Sequence, residues 1–394
     1  MYETLKQQFA DTYGRPARYL FSAPGRTELS GNHTDHQLGR VLAGAVSLDT
    51  VAAVDRNDDG CIRVLSQGYP MCEIALDALE KRQEEEGSTA ALIRGIAAGI
   101  RKRGAGLVGF DACVSSRVLS GSGLSSSAAF EVLIGTVLNQ LCDCGMTALE
   151  IAQLGQWAEN VYFGKPCGLM DQTASSVGGI ITIDFADEEH PQVEHLNFDF
   201  AACGHALCII DSGADHADLT DEYAAIPREL GRVSAFFGQR HLRQVDEAEF
   251  YRRLPELRKA AGDRAVLRAM HIFDENRRVA QQVEALRQND FQRFLELVTE
   301  SGRSSWLLLQ NIVPTGATEH QELAVALRLA ERLLGGRGAC RVHGGGFAGT
   351  IQAFVPNDLL EDFRAGMEAV LGEGSCHILS IRPEGGILLE EVKA

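Results

Sequence analysis

The chain has 394 residues, 45% of them hydrophobic, and a formal net charge of -17. That length and apolar content suit two packed lobes and exclude a disordered chain. The charge excludes a nucleic-acid surface, which needs clustered Lys and Arg, yet a small polyanion held by backbone N–H groups, a helix N-terminus or a metal ion stays compatible with it.

In chain order, the opening MYETLKQQFADTYGR lacks the positive-then-apolar order of a secretion signal, and no later run reaches the ~20 apolar residues of a membrane span. The expectation is a cytoplasmic protein without a membrane partner. Residues 25–39, GRTELSGNHTDHQLG, place one arginine, two histidines and an aspartate in a segment read as too polar for a core strand. A capped amphipathic helix follows at Ser88 or Thr89, with Leu92, Ile93, Ile96 and Ile100 inward and Arg101, Lys102, Arg103 and Gly104 after them. A second helix is predicted from Ser126 with Phe130, Leu133, Ile134, Val137, Leu138 and Leu141 inward. The capping box Thr147-Ala148-Leu149-Glu150 starts a third, ending near Gly164.

Strand-like runs lie at 178–185 and 205–213, and a charged helical stretch covers about 215–335. Beyond it come ACRVHGGGFAGTIQAFV, a helix near 358–371, CHILSI and GILLEEV. This alternation is α+β or α/β in character. The composition shift at PQVEH (191–195) divides the chain into lobes 1–190 and 191–394. Ten cysteines scattered from Cys61 to Cys376 form no C-x-x-C pair and read as reduced thiols.

Three polar segments carry candidate chemistry. VLSGSGLSSSAAFEVL (118–133) is a Gly/Ser loop running into an apolar helix. Its glycines allow close backbone approach, and the helix start offers free N–H groups to an anion. It matches neither the Walker A nor the Rossmann pattern, and a plain connector is the competing reading. Ser125, Ser126 and Ser127 add hydroxyls of the kind a nucleotide-bound Mg²⁺ takes as ligands. In KPCGLMDQTASSVGG (165–179), Asp171 is a carboxylate held partly out of water, either a helix cap or a working acid–base group. VHGGGFAGTI (342–351) reads as a bend.

Taken together, APGR…GNHTDH, GSGLSSSAA, CGLMDQ and GGGFAGT, in this order, resemble the GHMP small-molecule kinases and within them the galactokinase branch. The first segment is similar to G-R-x-N-x-I-G-E-H-T-D-Y, and the second to P-x-x-x-G-L-x-S-S-A. The resemblance implies an α+β GHMP kinase fold, with an N-terminal lobe like the second domain of ribosomal protein S5, a ferredoxin-like C-terminal lobe and a cleft between them. It also implies ATP as co-substrate, Mg²⁺, a sugar phosphorylated at its anomeric hydroxyl, and no obligate protein partner.

Residue by residue, the resemblance places Gly121, Ser122, Gly123, Leu124, Ser125, Ser126 and Ser127 around the phosphates, with Ser127 and Glu159 as Mg²⁺ ligands. Asp171 corresponds to the base and Arg26 to the cation that keeps it ionised. His33 and Asp35 match sugar contacts. Tyr223 matches the last residue of D-T-N-V-x-H-x-L-x-x-S-E-Y, which DSGADHADLTDEY (211–223) resembles.

Departures concern the sugar. Asn32 stands where the signature has Glu, which in the family receives the O6 hydroxyl, and His36 stands where it has Tyr. An amide donates and accepts, and its neutrality would remove repulsion of a C6 carboxylate, worth on the order of several kcal/mol in a dry site. NHTDHQLG and ESGRSSWLLLQN (300–311) resemble the H-I-D-H-Q-G-G and E-S-x-x-S-S-x-Q-N segments of galacturonokinases. Ala348 replaces a usual Gly, a packing change. The expected function is an ATP-dependent galactose 1-kinase. A kinase of galacturonate or another C6 variant is the alternative, and a non-catalytic sugar sensor the second.

Overall fold

The computed structural model describes residues 2–119, 122–214 and 219–392. The first half runs α1 (Tyr2–Tyr13), β1 (Tyr19–Ser30), β2 (Arg40–Asn57), β3 (Cys61–Ser66), β4 (Cys72–Ala75), α2 (Thr89–Lys102), β5 (Gly109–Ser116), α3 (Ser126–Leu141), α4 (Ala148–Ala158), α5 (Met170–Val177), β6 (Ile180–Asp184) and β7 (Gln192–Leu196). The second half runs β8 (His205–Asp211), α6 (Thr220–Phe236), α7 (Glu247–Arg252), α8 (Leu254–Ala261), α9 (Asp263–Arg287), α10 (Phe291–Ser304), α11 (Glu322–Leu334), β9 (Ala339–Val342), β10 (Thr350–Pro356), α12 (Leu360–Leu371), β11 (Cys376–Leu379) and β12 (Ile387–Glu391).

Eight strands form the first sheet, in the order β12-β1-β2-β5-β3-β4, with β6 and β7 added along the first part of β2. Side chains alternate across it as a period of two requires. Val51 and Ala53 face Leu5 and Phe9 of α1, whereas Ala52 and Val54 join Phe21, Phe110 and the apolar stripes of α2, α3 and α4. Local chemistry sets the helix starts. Ser88 Oγ accepts the Ala91 N–H, and Thr147 and Glu150 form the reciprocal capping box.

The second sheet has the order β11-β8-β10-β9, all antiparallel. With α11 between β8 and β9 and α12 between β10 and β11, this is the βαββαβ arrangement of ferredoxin-like units. Helices α6 to α10 are inserted before α11. One face, with Ile351, Ala353 and Val355, packs on α11 and α12. From the other, Phe354, Leu207 and Ile209 join Leu29, Leu42, Val118 and Leu124 of the first half and Val283 and Phe294 of the insert.

Two expectations change here. The division at 190/191 puts β7 and β12 with the C-terminal lobe, whereas both pair into the first sheet, β7 with β6 and β12 with β1. Residues 25–30 are not a loop: β1 continues through GRTELS to Ser30, and every residue of the strand is buried.

Because Phe354 sits fully buried in the cluster joining the halves, Phe354→Ala should cost about 3–5 kcal/mol. Denaturant unfolding followed by tryptophan fluorescence and circular dichroism should stay a single transition. Two separated transitions in the unsubstituted chain would show that the cluster does not couple the halves.

Candidate active site

The polar end of β1 is tolerable inside because the second half of the chain supplies its partners. Thr27 Oγ1 lies 3.1 Å from His343 Nε2, Glu28 pairs with Arg341, and Ser30 Oγ donates to Glu275 at 3.2 Å. Gly25 has a packing reason: a Cβ there would stand 2.9 Å from both the Leu124 oxygen and Val118 Cγ1. That approach lets the Arg26 N–H donate to the Leu124 oxygen at 3.0 Å, fastening β1 to the Gly/Ser loop.

The Arg26 guanidinium reaches Asp171 Oδ1 through Nε and Nη2, each at 2.7 Å, and the Gly123 carbonyl through Nη1. Asp171 lies in the first turn of α5, where the helix field favours a negative charge. Ser125 Oγ donates to its other oxygen. Ser125 has φ +57°, an unusual backbone for a non-glycine, at the start of α3. Burial acts to raise the Asp171 pKa, but the Arg26 charge and the hydrogen bonds from Arg26 and Ser125 outweigh it and hold the carboxyl below its usual value. Its side chain is still 33% exposed, so a ligand can reach it.

Ser127 Oγ lies 3.4 Å from Glu159 Oε1. Glu159 is buried and opens a π-turn, Glu159–Phe163, at the end of α4. Gln172 Nε2, next to Asp171 in sequence, donates at 2.9 Å to both Glu159 and Glu131. Burial, together with the Glu159 charge, raises the Glu131 pKa well above its ordinary value, and among the described residues its Oε1 has no hydrogen-bond partner. Ser122 and Leu124 are buried, Ser126 begins α3, and Gly121 lies outside the described residues.

On the sugar side the loop after β1 rests on α9. Glu275 Oε1 accepts the Gly31 N–H at 3.1 Å and the Asn32 N–H at 3.4 Å. Burial pushes Glu275 up, but Arg278 leads the groups that bring its pKa down to about 2. Asp35 packs against Gly168, where a Cβ would lie 2.5 Å from its Oδ2. Burial raises the Asp35 pKa despite the neighbouring His33. Gln37 Nε2 meets His36 Nδ1 at 3.1 Å, His36 Nε2 meets His33 Nδ1 at 3.2 Å, and His33 Nε2 meets the Gly345 oxygen at 3.0 Å. Burial, with His33 second, lowers His36 to about 3, so it is neutral in this chain of bonds. Tyr223 Oη donates to the Gly346 oxygen at 2.8 Å, and burial pushes its pKa up to about 12. Residues 215–218 of the motif preceding it lie outside the described residues.

Asn32 differs from its expected place. It is fully buried, and its amide is saturated by the protein: Nδ2 donates to Glu28 Oε1 at 3.2 Å and to the Gly344 oxygen at 2.7 Å. Its Oδ1 accepts from Ser305 at 3.2 Å and from Asn311 at 2.9 Å. No donor or acceptor is left for a sugar substituent. The Glu28 carboxylate in contact with it also means that this position has not lost its negative neighbour. The electrostatic case for a C6 carboxylate falls with that observation. A cavity of about 900 Å³ between α10 and α11 contains none of these residues.

Comparison with known proteins accords with this geometry. Residues 91–179 match the family described as GHMP kinases N terminal domain, and residues 7–56 match the galactokinase galactose-binding signature. The chain is 33% identical over 364 residues to a galactokinase of Actinobacillus pleuropneumoniae serotype 3 (strain JL03), covering 91% of this chain and 90% of that one. The chain belongs to the galactokinase family. A galactokinase of Glaesserella parasuis serovar 5 (strain SH0165) is 32% identical over 371 residues, 92% of this chain and 91% of its own. Among solved structures, Lactococcus lactis galactokinase complexed with galactose superposes with a TM-score of 0.84 at 25% identity, over 98% of this chain and all of the other. Methanococcus jannaschii mevalonate kinase shares the fold, with a TM-score of 0.63 at 14% identity, over 93% and 99% of the two chains. Membership of the galactokinase family makes the protein an ATP-dependent sugar kinase of α+β fold.

Within the galactokinase frame, the structure brings together the expected pairs Arg26 with Asp171 and Ser127 with Glu159, and adds beside them Gln172, Glu131, Glu275 and His343, which the sequence reading did not name. Gln172 had a signal in its place beside Asp171, and Glu131 in its i+4 spacing from Ser127 on one helix face. Glu275 had none, and His343 had only its place in VHGGGFAGTI, because their partners are remote in sequence.

Asn32→Asp would set a second carboxylate beside Glu28 and remove the donor to the Gly344 oxygen. Unfolding free energy should fall by about 3 kcal/mol in urea titrations. Unchanged stability with an altered KM for one sugar would place the side chain on the ligand instead.

Proposed function

We propose that this kinase transfers the γ-phosphoryl group of ATP to the anomeric hydroxyl of galactose, with Asp171 as the proton acceptor. The observation that carries this reading is a carboxylate held ionised by Arg26 and Ser125, yet one-third exposed, beside the serine-rich loop. Phosphoryl transfer through a loose transition state asks for positioning more than for a strong base. A carboxylate kept below its usual pKa suits that demand: it orients the sugar hydroxyl and takes its proton as the new P–O bond forms. Arg26 then balances the negative charge gathered around Asp171 and the transferring group.

Ser127 and Glu159 fit a magnesium ion by donor chemistry, since both offer oxygen and Mg²⁺ prefers few protein oxygens plus phosphates. Among the described residues no cluster of three or more His, Cys, Asp or Glu side chains could hold a metal alone, which suits an ion that arrives with the nucleotide. When bound, the ion would neutralise the β- and γ-phosphates. Asp35, His33 and Tyr223 are the proposed sugar contacts, His33 and Tyr223 trading bonds to the glycine-loop carbonyls for sugar hydroxyls. Galactose is favoured over galacturonate by the family and by the saturated amide of Asn32. Among the described residues no helix is long and apolar enough to cross a membrane.

A substrate panel with ATP and Mg²⁺, read by ADP release, tests the assignment: galactose should exceed galacturonate in kcat/KM by at least tenfold. The reverse ratio would overturn the sugar, and no ADP release with any sugar would leave a sensor. Asp171→Asn should lower kcat by roughly 10²–10⁴ while sparing sugar binding.

The pH dependence has a definite sign. The folded pKa of Asp171 is lowered, so both its ionised form and the stability from its pairing are complete above the ordinary 3.8 and are lost only as pH falls through the lower folded value. The kcat/KM profile should therefore show no acid limb from this group above pH 3.8. An acid limb near neutrality that vanishes in Asp171→Asn would contradict the arrangement.

A further inference from the structure

His343 precedes the glycine loop of the second half and is 2% exposed. Its bonds fix its tautomer without appeal to titration. The Thr350 hydroxyl donates its one hydrogen to the Ser122 carbonyl at 2.8 Å, so in its 3.0 Å contact with His343 Nδ1 the ring must be the donor. His343 Nε2 is then a lone pair, and it accepts the Glu28 N–H at 3.3 Å and the Thr27 hydroxyl at 3.1 Å. Gln352 Nε2 completes the set, donating to Thr27 Oγ1 at 2.7 Å and to the Glu28 oxygen at 3.1 Å. An imidazolium could not accept at Nε2, and burial, with Arg26 and Arg341 adding to it, lowers the His343 pKa well below its usual value.

One end of this chain is the carbonyl of Ser122 in the Gly/Ser loop. The other is the Thr27 hydroxyl and the Glu28 N–H, in the two residues directly after Arg26. Arg26 itself reaches back to the Gly123 carbonyl, and its N–H to the Leu124 oxygen. The result is a closed ring: Gly/Ser loop, Thr350, His343, β1, Arg26, Gly/Ser loop. The ring is tight as well as closed, since a Cβ on Gly123 would lie 3.0 Å from His343 Nδ1 and 3.3 Å from Thr350 Oγ1.

We propose that His343, acting through Thr350, is a positioning residue that sets the Gly/Ser loop against Arg26 and Asp171, so that the second half of the chain determines how ATP is held relative to the base. This rests on the reading of residues 122–127 as the phosphate loop. His343 touches neither substrate, and its effect is carried by the two backbone segments it joins.

The test measures binding of a non-hydrolysable ATP analogue by calorimetry without sugar, KM for ATP and for galactose, and Tm. Thr350→Val, nearly isosteric, should weaken nucleotide binding and raise KM for ATP by about tenfold, the size of one buried hydrogen bond, with KM for galactose within about twofold. His343→Gln keeps an acceptor toward β1 but loses the Nδ1 donor, and should act like Thr350→Val. The double variant should be no worse than the poorer single, because both break one path. Equal changes in the two KM values, or a lower Tm with nucleotide affinity unchanged, would overturn the proposal. Ser127→Ala separates the failures: if it leaves ATP affinity unchanged, the phosphate-loop reading fails. If it weakens ATP while Thr350→Val does not, only the role of His343 fails.

Discussion

The organising constraint is a polar strand buried on both faces. The second half of β1 carries Arg26, Thr27, Glu28 and Ser30 in a place with no water to serve them, and unpaired polar groups there would each cost about 1–3 kcal/mol. Every one is matched: Arg26 to Asp171, Thr27 to His343, Glu28 to Arg341, Ser30 to Glu275. Three of those partners come from the second half, so the halves cannot separate without stranding charges and hydroxyls. The apolar cluster around Phe354 and Leu29 adds area to the same joint. Specificity of docking comes from the polar pairs, because an apolar patch alone would tolerate sliding.

The same joint shapes the sugar side. Carbonyls of the glycine loop are met in succession, Gly344 by Asn32, Gly345 by His33 and Asn311, and Gly346 by Tyr223. Glycine is required at Gly345 by the Tyr223 ring, whose Cε1 would stand 2.7 Å from a Cβ, and at Gly346 by the Asn311 oxygen at 2.1 Å. A loop without side chains can lie flat against the sugar motif and offer it only backbone oxygens. Binding geometry on one half therefore depends on groups supplied by the other.

What could be read in the sequence was what is local. The Ser88 cap, the Thr147/Glu150 box and the start of α3 at Ser126 follow from residues within one helical turn. Asp171, Arg26 and the serine loop were legible as motif residues, though not their mutual bonds. The strand character of residues 25–30 was hidden because a polar hexapeptide reads as a loop unless its partners are known. Those partners lie 316, 313 and 245 positions away, at His343, Arg341 and Glu275. The pairing of β12 with β1 was hidden for the same reason. Periodicity marks a strand but says nothing of which sheet receives it.

Asn32 shows how a single position misleads when its neighbour has changed as well. Against the pattern G-R-x-N-x-I-G-E, this chain carries Glu at 28 and Asn at 32, an exchange of amide and carboxylate between two sites. The two side chains touch at 3.2 Å, so the exchange leaves one carboxylate and one amide in the same small volume. Arg341, fully buried beside them, sets the terms: a guanidinium there needs a carboxylate in contact, and Glu28 is that group. Once Glu28 is committed to Arg341, an acid at 32 would be a second buried charge without a cation. An amide can instead bridge the Glu28 carboxylate, the Gly344 carbonyl, Ser305 and Asn311. The asparagine is thus explained by the charge balance of the joint between the halves, with no reference to the sugar.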